Sequence, residues 1–371
     1  MRIQVDTKLF NQALTKLTGI TKKSEILPII EGVLMSANGN LKLTANNLNS
    51  DMTITLPAQI IDQGQAVANS KILRRVTSSI SDEVTEIQTS ETEVYVAADR
   101  SQATIAGMNA KEFPVPSGRH ADGTARKVVL DSSVFRNLLN QVAFAASGDE
   151  VRPILCTIQI SFSSDSVKAA TTDGFKIAEY SMDLTLPGIT EEFSILIPIK
   201  SVREMLARLP FAIGRPITIS AWEGDAEFEI ENYRYRTNLE LGKFPLYWAL
   251  FPNKSECKKA IIDQPVLYFM LRKVLNFGSK GWHQYVRMEF TGSTVKLSTE
   301  NEDIGKFQGE LPALVDEDLK GFVIAVNSQF LYQIIQGVSS DEAVLYFRAN
   351  NTPILVEDGN FRAVVMPMHL R

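Results

Sequence analysis

The segment DTKLFNQALTKL at residues 6–17 decides the fold, because its pattern recurs twice further along the chain. The second copy is DSSVFRNLLNQV at residues 131–142, and the third is DQPVLYFMLRKV at residues 263–274. In each copy an aspartate is followed by apolar residues at offsets of 3, 4, 7, 8 and 11, the spacing of one face of an α-helix. An aspartate directly ahead of such a face accepts unpaired N–H groups of the first turn. We therefore predict that Asp6, Asp131 and Asp263 are helix N-caps.

Two further patterns repeat with nearly the same period, which indicates internal duplication. Alternating, strand-like runs begin at Leu41, Val167 and Val295, and second amphipathic helices are predicted over residues 69–80, 198–209 and 327–338. The sequence predicts three tandem similar domains, with boundaries at 1–125, 126–255 and 256–371.

Short alternating runs separated by turn-forming dipeptides fill the space between the helices. Asn38-Gly39, Asp173-Gly174 and Asp358-Gly359 mark three such turns. Each domain is therefore predicted to place two helices on a largely antiparallel sheet, which makes the fold class α+β.

The charge of the chain is unevenly distributed. The 371 residues carry a formal net charge of −5, yet the six predicted helical segments sum to about +10, which leaves about −15 for the remainder. Exposed helix faces commonly carry Lys and Arg, so this segregation has an ordinary explanation as solvated surface. It also suits a protein that holds DNA on cationic helices without reading its sequence.

Motifs of enzymes and of metal sites are missing from the sequence. No two glycines stand at positions i and i+2, so there is no dinucleotide-binding fingerprint, and no phosphate-binding loop occurs. His120, His283 and His369 are isolated from one another, which gives no zinc or Ser-His-Asp signature. We expect no catalytic centre, no cofactor and no metal. Two distant cysteines and a start without a signal peptide favour a cytoplasmic protein.

Several motifs resemble the beta subunit of bacterial DNA polymerase III, the replicative sliding clamp family. They are TTDGFKIA at 171–178, GKFP at 242–245, VVMPMHL at 364–370, Leu27-Pro28-Ile29 and Val151-Arg152. The resemblance covers the whole chain. It implies a DNA clamp fold that forms a homodimeric ring of six similar domains, with helices lining a hole for duplex DNA. It also implies the polymerase III alpha subunit, the clamp loader and other proteins with a clamp-binding motif as partners.

The resemblance implies a pocket that receives short partner peptides. The matching positions are Leu155, Thr172, Gly174, Phe175, Lys176, Ile177, Pro245, Leu250, Asn327, Phe330, Pro353, Val364, Met366, Pro367 and Met368. Without the resemblance, Leu155, Ile177 and Val364 are ordinary core residues. A terminus rich in Met and Pro, in contrast, is typical of an adaptable groove for apolar peptides.

Two more surfaces are implied. The residues expected to face DNA are Lys22, Lys23, Lys71, Arg74, Arg152, Lys200 and Arg203. Those expected at the dimer interface are Lys71, Arg74, Ala103, Ile105, Val274, Leu275, Glu300, Glu302 and Asp303. Ala103 stands where the family has an aromatic residue, so we expect a thinner apolar contact there.

Two alternatives come from other functional classes. One is a peptide-binding scaffold with no DNA role, which loading onto circular DNA would separate from a clamp. The other is an enzyme of unrecognised type, which requires a catalytic cluster that the sequence does not display.

Overall fold

The computed structural model describes residues 1–90, 92–98, 101–114, 125–278 and 284–368. Within these ranges the chain forms six α-helices, two in each predicted repeat. Their bounds are Thr7–Leu17 (α1), Ser70–Ser78 (α2), Ser132–Val142 (α3), Ile199–Arg208 (α4), Gln264–Leu275 (α5) and Ser328–Gly337 (α6). His120, His283 and His369 lie outside the described residues.

The three predicted N-caps are confirmed. The carboxylate of Asp6 accepts the backbone N–H of Leu9 at 2.8 Å, and that of Asp263 accepts the N–H of Val266 at 2.9 Å. Asp131 accepts the N–H of Ser133 at 2.8 Å and the hydroxyl of Ser133 at 2.5 Å. The hydroxyl bond first, and then the backbone N–H bonds, hold the pKa of Asp131 below its ordinary value. Each first helix therefore begins where its aspartate satisfies first-turn donors.

Antiparallel strands make up the rest of each repeat. The first repeat contains Arg2–Asp6 (β1), Gly32–Asn38 (β2), Asn40–Asn46 (β3), Ser50–Leu56 (β4), Ala58–Asp62 (β5), Gly64–Asn69 (β6), Val84–Thr89 (β7), Glu93–Ala98 (β8) and Ser101–Met108 (β9). The second contains Arg126–Asp131 (β10), Thr157–Phe162 (β11), Ser166–Thr172 (β12), Lys176–Asp183 (β13), Phe193–Pro198 (β14), Pro216–Ala221 (β15), Asp225–Ile230 (β16) and Tyr233–Asn238 (β17). The third contains Lys258–Asp263 (β18), Tyr285–Phe290 (β19), Thr294–Asn301 (β20), Gly305–Val315 (β21), Val323–Asn327 (β22), Glu342–Phe347 (β23), Ile354–Asp358 (β24) and Phe361–Val365 (β25).

The chain divides into two compact units, and the first combines residues 1–136 with 200–239. Its described strands form one sheet in the order β10-β15-β16-β17-β4-β3-β2-β6-β9-β8-β7-β1-β5. The second repeat enters this sheet through β17, which pairs antiparallel with β4 from Tyr233↔Ile54 to Thr237↔Ser50. The sheet of the first repeat therefore continues directly into strands of the second.

The second unit combines residues 137–199 with 240–371. Its described strands form a sheet in the order β14-β11-β12-β13-β25-β24-β23-β18-β21-β20-β19-β22. Here β13 of the second repeat pairs antiparallel with β25 of the third, from Lys176↔Val365 to Tyr180↔Phe361. The predicted α+β class, with two helices and antiparallel strands in each of three repeats, is confirmed.

Both joints between repeats follow one rule. The fourth strand of one repeat, β4 or β13, pairs with the last strand of the next repeat, β17 or β25. Applied once more, the same rule would pair the fourth strand of the third repeat, β21, with the last strand of the first repeat, β9. Within the described residues these two strands belong to different sheets and are not paired with each other.

None of the described helices is both long and apolar enough to cross a membrane.

Candidate functional site

The β12–β13 hairpin carries the largest group of predicted pocket residues. Its turn is closed by Asp173, whose carboxylate accepts the N–H groups of Phe175 at 2.8 Å and Lys176 at 2.9 Å. Thr172 supports the same turn, because its hydroxyl donates to the carbonyl of Lys176 at 2.8 Å. Gly174 has φ of +92°, a conformation that favours glycine. This turn leaves the side chain of Phe175 exposed and Lys176 buried.

The C-terminal strand lies beside this hairpin. Val364 is paired with Ile177 in the β13–β25 ladder, and both side chains are buried. Beyond β25, the N–H of Met366 donates to the carbonyl of Phe175 at 2.9 Å. The N–H of Met368 donates to the carbonyl of Ala325 in β22 at 2.7 Å. The chain end is thereby held between the hairpin and the third repeat, with Met366 exposed.

Leu250 ends the 3₁₀ turn Tyr247–Leu250 and Pro245 precedes it; the turn packs on the same sheet. Buried Tyr247 joins a core cluster that also contains Ile177 and Val364. Its hydroxyl donates to Oε2 of buried Glu179 at 2.7 Å. Burial and the nearby carboxylate raise the pKa of Tyr247 far above its ordinary value. This hydrogen bond fixes the turn to the sheet.

Arg362 completes this anchor from the C-terminal strand. Its guanidinium donates to Oε1 of Glu179, with an Nε to Oε1 distance of 3.0 Å, and lies 4.5 Å from the centre of the Phe251 ring. Glu179 is therefore paired on both oxygens, which offsets the cost of burying its charge. Sequence reasoning missed Glu179 and Arg362, because their alternation with apolar neighbours is that of any strand.

The N-terminus of α6 carries two further residues of the predicted pocket, Asn327 and Phe330. Asn327 caps the helix by accepting the N–H of Phe330 at 3.1 Å. The ammonium of Lys176 lies 4.1 Å from the centre of the Phe330 ring and also pairs with Asp173. A cation held over an aromatic face by a carboxylate is fixed in place, so Lys176 and Phe330 form a rigid contact.

A cavity of about 440 Å³ opens beside this contact. It brings together four predicted pocket residues, Phe175, Lys176, Asn327 and Phe330, with Arg152, which was predicted to face DNA. The other lining residues are Ala146, Ser147, Gly148, Asp149, Asp173, Gln284 and Gln329. The remaining predicted residues lie elsewhere in the same unit: Leu155 is buried in the turn Pro153–Cys156, and Pro353 is half-buried between β23 and β24.

The cationic residues predicted to face DNA are exposed. Lys22 and Lys23 follow α1, Lys71 and Arg74 lie on α2, and Lys200 and Arg203 lie on α4. Arg152 is also exposed, in the loop before the turn Pro153–Cys156.

The predicted interface residues divide into surface and interior positions. Half-buried Ala103 lies on β9 and half-buried Leu275 ends α5, whereas Ile105 and Val274 are buried within their own chain. The acidic residues are at the β20–β21 hairpin, where Glu300 pairs with Lys306 at 2.5 Å and Glu302 and Asp303 are exposed.

No group of three or more His, Cys, Asp or Glu side chains suited to a metal ion occurs among the described residues. The site consists instead of apolar walls and a fixed cation. Such an arrangement binds peptides and other macromolecules.

Comparison with known proteins agrees with this geometry. Three family models match the chain: the N-terminal domain of the DNA polymerase III beta subunit at residues 1–117, its central domain at 129–246 and its C-terminal domain at 249–369. The beta sliding clamps of Streptomyces coelicolor and Pseudomonas putida are 24% and 22% identical to the chain, each aligned over 100% of both sequences.

Solved structures show the same fold. A DNA polymerase sliding clamp from Pseudomonas aeruginosa, determined with a ligand, has a TM-score of 0.92 at 20% identity. A sliding clamp from Bartonella birtlesii bound to griselimycin has a TM-score of 0.91 at 23% identity. Both comparisons cover 100% of this chain and of the solved chain.

The fold and the three matched domains define the class of DNA sliding clamps, which are processivity factors and not enzymes. The chain belongs to the DNA polymerase III beta subunit family.

Proposed function

We propose that two copies of this chain close into a ring around duplex DNA and tether the polymerase III alpha subunit through the pocket on the second unit. Family membership supports this function. The observation that carries the proposal for this chain is the strand-pairing rule that joins its repeats.

The rule supports a head-to-tail dimer. Within the described residues, the stretch 305–312 of β21 pairs on one side only, with β20, and the stretch 101–106 of β9 pairs on one side only, with β8. Each is the equivalent of a strand that is used in a joint inside the chain. Pairing β21 of one copy with β9 of the other uses both edges in two identical joints, and a closed two-fold assembly leaves no such edge exposed.

The charges at these edges are complementary. Exposed Lys71 and Arg74 lie on α2 in the repeat that contains β9, and exposed Glu302 and Asp303 adjoin β21. Opposite charges of this kind favour one register and orientation over others. Ala103 on β9 adds little apolar area, so charge and backbone pairing carry more of this interface.

The proposed DNA contact is topological and independent of sequence. The cationic residues lie on α2, on α4, in the segment after α1 and in the loop before the turn Pro153–Cys156, and not on one recognition helix, which favours phosphate contacts over readout of base edges. The clamp loader and other proteins with a clamp-binding motif are proposed as further partners, and the cytoplasm as the compartment. The domain boundaries at 125 and 255 remain part of this proposal.

The proposed peptide site is formed by the hairpin, the C-terminal strand and the turn Tyr247–Leu250. Ile177 and Val364 give an apolar floor, with Leu250 and Met366 exposed at its rim. Two buried apolar side chains of a partner contribute about 3–6 kcal/mol before ordering costs, whereas micromolar affinity corresponds to about 8 kcal/mol, so roughly micromolar binding of an isolated motif also requires its hydrogen bonds to the site.

Deletion of residues 368–371 tests this site. The deletion removes the Met368–Ala325 hydrogen bond and leaves all six described helices intact. Calorimetric titration with a peptide containing a Gln and a Leu-Phe end should show loss of binding, while sedimentation shows an unchanged dimer. Equal affinity for the intact and the truncated protein would contradict the proposed site.

A further inference from the structure

Three exposed apolar side chains lie on or directly before the turn that forms one wall of the proposed peptide site. Leu246 is 68% exposed, Trp248 is 56% exposed and Leu250 is 51% exposed. Leu250 belongs to the proposed pocket, but Leu246 and Trp248 have no role in it. A cluster of large exposed apolar residues on a soluble protein is typical of an interaction surface.

Trp248 borders a second cavity, of about 470 Å³. The wall opposite the indole is polar. Ser194 on β14, Ser161 on β11 and Lys168 on β12 are successive neighbours in register across the three strands. We call this cavity the serine groove; it is lined by Gln159, Ser161, Ser163, Ser166, Lys168, Glu192, Phe193, Ser194, Tyr247 and Trp248.

Several polar groups of the serine groove are available to a ligand. Ser163 and Ser166 bond to each other at 2.7 Å. Gln159, Ser161 and Ser194, in contrast, have side chains that make no hydrogen bond within the described part of the chain. Strand residues two apart, such as Gln159 and Ser161, point to the same face, which matches the repeat of an extended peptide.

The serine groove adjoins the proposed peptide site, because Trp248 at the groove and Leu250 at the peptide site lie on one turn, which begins with Tyr247. This residue lines the groove and also belongs to the core cluster that contains Ile177 and Val364, the floor of the peptide site. Its ring meets the Trp248 ring edge-on, with 5.7 Å between centroids. A peptide bound at Leu250 is therefore adjacent to Trp248 of the same turn.

The charges of the groove favour a peptide over a nucleic acid. Lys168 is its one cation, and the Lys168 ammonium already lies 3.9 Å from the carboxylate of Glu179. Glu192 adds an exposed negative charge at the rim. Phosphate backbones require free Lys and Arg, which this lining does not offer.

We propose that the serine groove binds the partner segment that directly flanks the clamp-binding motif. An aromatic or long aliphatic side chain of that segment packs on Trp248, and its backbone hydrogen-bonds to Gln159, Ser161 and Ser194. This inference rests on the proposed peptide site and extends it from a short motif to a longer extended segment.

Calorimetry with two lengths of peptide tests the inference. One peptide contains the motif alone; the others add five residues including a phenylalanine to its N-terminal or its C-terminal end. One of the extended peptides should bind the native protein about tenfold more tightly than the motif alone, since a tryptophan contact is a common binding hot spot. Trp248→Ala should abolish that gain. Ser161→Lys, which fills the groove, should act in the same way.

Leu241→Ala is the matched control, because Leu241 is 65% exposed and lies outside the groove lining. It should preserve the gain. Equal affinity of all peptides for the native protein, or a gain that survives both groove variants, would overturn the inference while leaving the peptide site intact. Failure of the motif peptide itself would instead overturn the proposed peptide site, and this inference with it. A dimer mass altered by Trp248→Ala would assign the groove to a second copy of the chain and would also contradict the inference.

Discussion

Tyr247 donates a hydrogen bond to Glu179 across 68 residues of sequence, and this bond fixes the turn that carries Pro245 and Leu250 against the sheet that carries Ile177 and Val364. Arg362 holds the same carboxylate from the C-terminal strand. Three segments distant in sequence are therefore joined at one buried anion, directly beneath the proposed peptide site.

Tyr247→Phe should weaken both stability and peptide binding. A hydrogen bond to a charged group contributes about 1.5–3 kcal/mol, and Arg362 still pairs with Glu179 in the variant. We expect the free energy of unfolding to fall by that amount, and the motif peptide to bind several-fold more weakly in calorimetry. Tyr180→Phe is the control, because the Tyr180 hydroxyl bonds only to neutral Asn137 at 3.0 Å. Unchanged stability in Tyr247→Phe would show that the anchor is unimportant.

The first unit should lose stability as the pH rises. Asp51 is buried on β4, and burial is the main reason that its pKa rises from 3.8 to about 7. The cations Arg234 and Arg236 lower this pKa, whereas the carboxylates of Glu227 and Asp225 raise it. Between pH 4 and pH 7 the folded chain therefore retains a proton that the unfolded chain has released. This group alone makes unfolding easier by about 1.4 kcal/mol for each unit of rising pH in that window.

Asp51→Asn should remove this dependence, because the amide does not ionise. Calorimetric melting at pH 5 and pH 8 checks the prediction. The native protein should melt at a lower temperature at pH 8, and the variant should narrow that difference. An identical pH dependence in both proteins would show that Asp51 is not the responsible group.

Charge reversal should separate the dimer, and a second reversal should restore it. Lys71→Glu with Arg74→Glu places negative charge opposite the proposed acidic surface, so the dissociation constant should rise by at least about tenfold, the equivalent of 1.4 kcal/mol. Adding Glu302→Lys and Asp303→Lys to the same chain should recover much of the association. Sedimentation at two salt concentrations measures both effects. A dimer indifferent to the first pair of changes would exclude this pairing of surfaces.

Lys22 and Lys23 should contribute to DNA binding through counterion release. Replacing both with Gln should reduce the slope of log affinity against log salt by about 2, since each phosphate contact accounts for about one unit. Exposed Lys42 on β3 and Lys111 near β9 serve as a double-Gln control with the same change of net charge. An equal reduction in the control would mean that net charge, and not position, governs binding.

Local patterns in the sequence predicted the structural features that form between residues close together in the chain. The caps Asp6 and Asp263 were identified because cap and helix are adjacent, so offsets in one short window contain the whole signal. The Tyr247–Glu179 bond and the β4–β17 joint were not predictable, because their partners are far apart in sequence and their strands look like any others. Val274 lies on the apolar face that the helix pattern indicates and is buried there, whereas its assignment to the dimer interface came from the resemblance and not from that pattern.

Retention on circular DNA tests the central claim most directly. The protein is loaded onto nicked circular DNA with ATP and the clamp loader of the same cells, washed at high salt, and the circle is then cut once. A closed ring should remain bound through the wash, because phosphate contacts are screened but the topological link is not, and it should be released when the DNA becomes linear. Loss in the high-salt wash, or equal release from cut and uncut circles, would contradict the account.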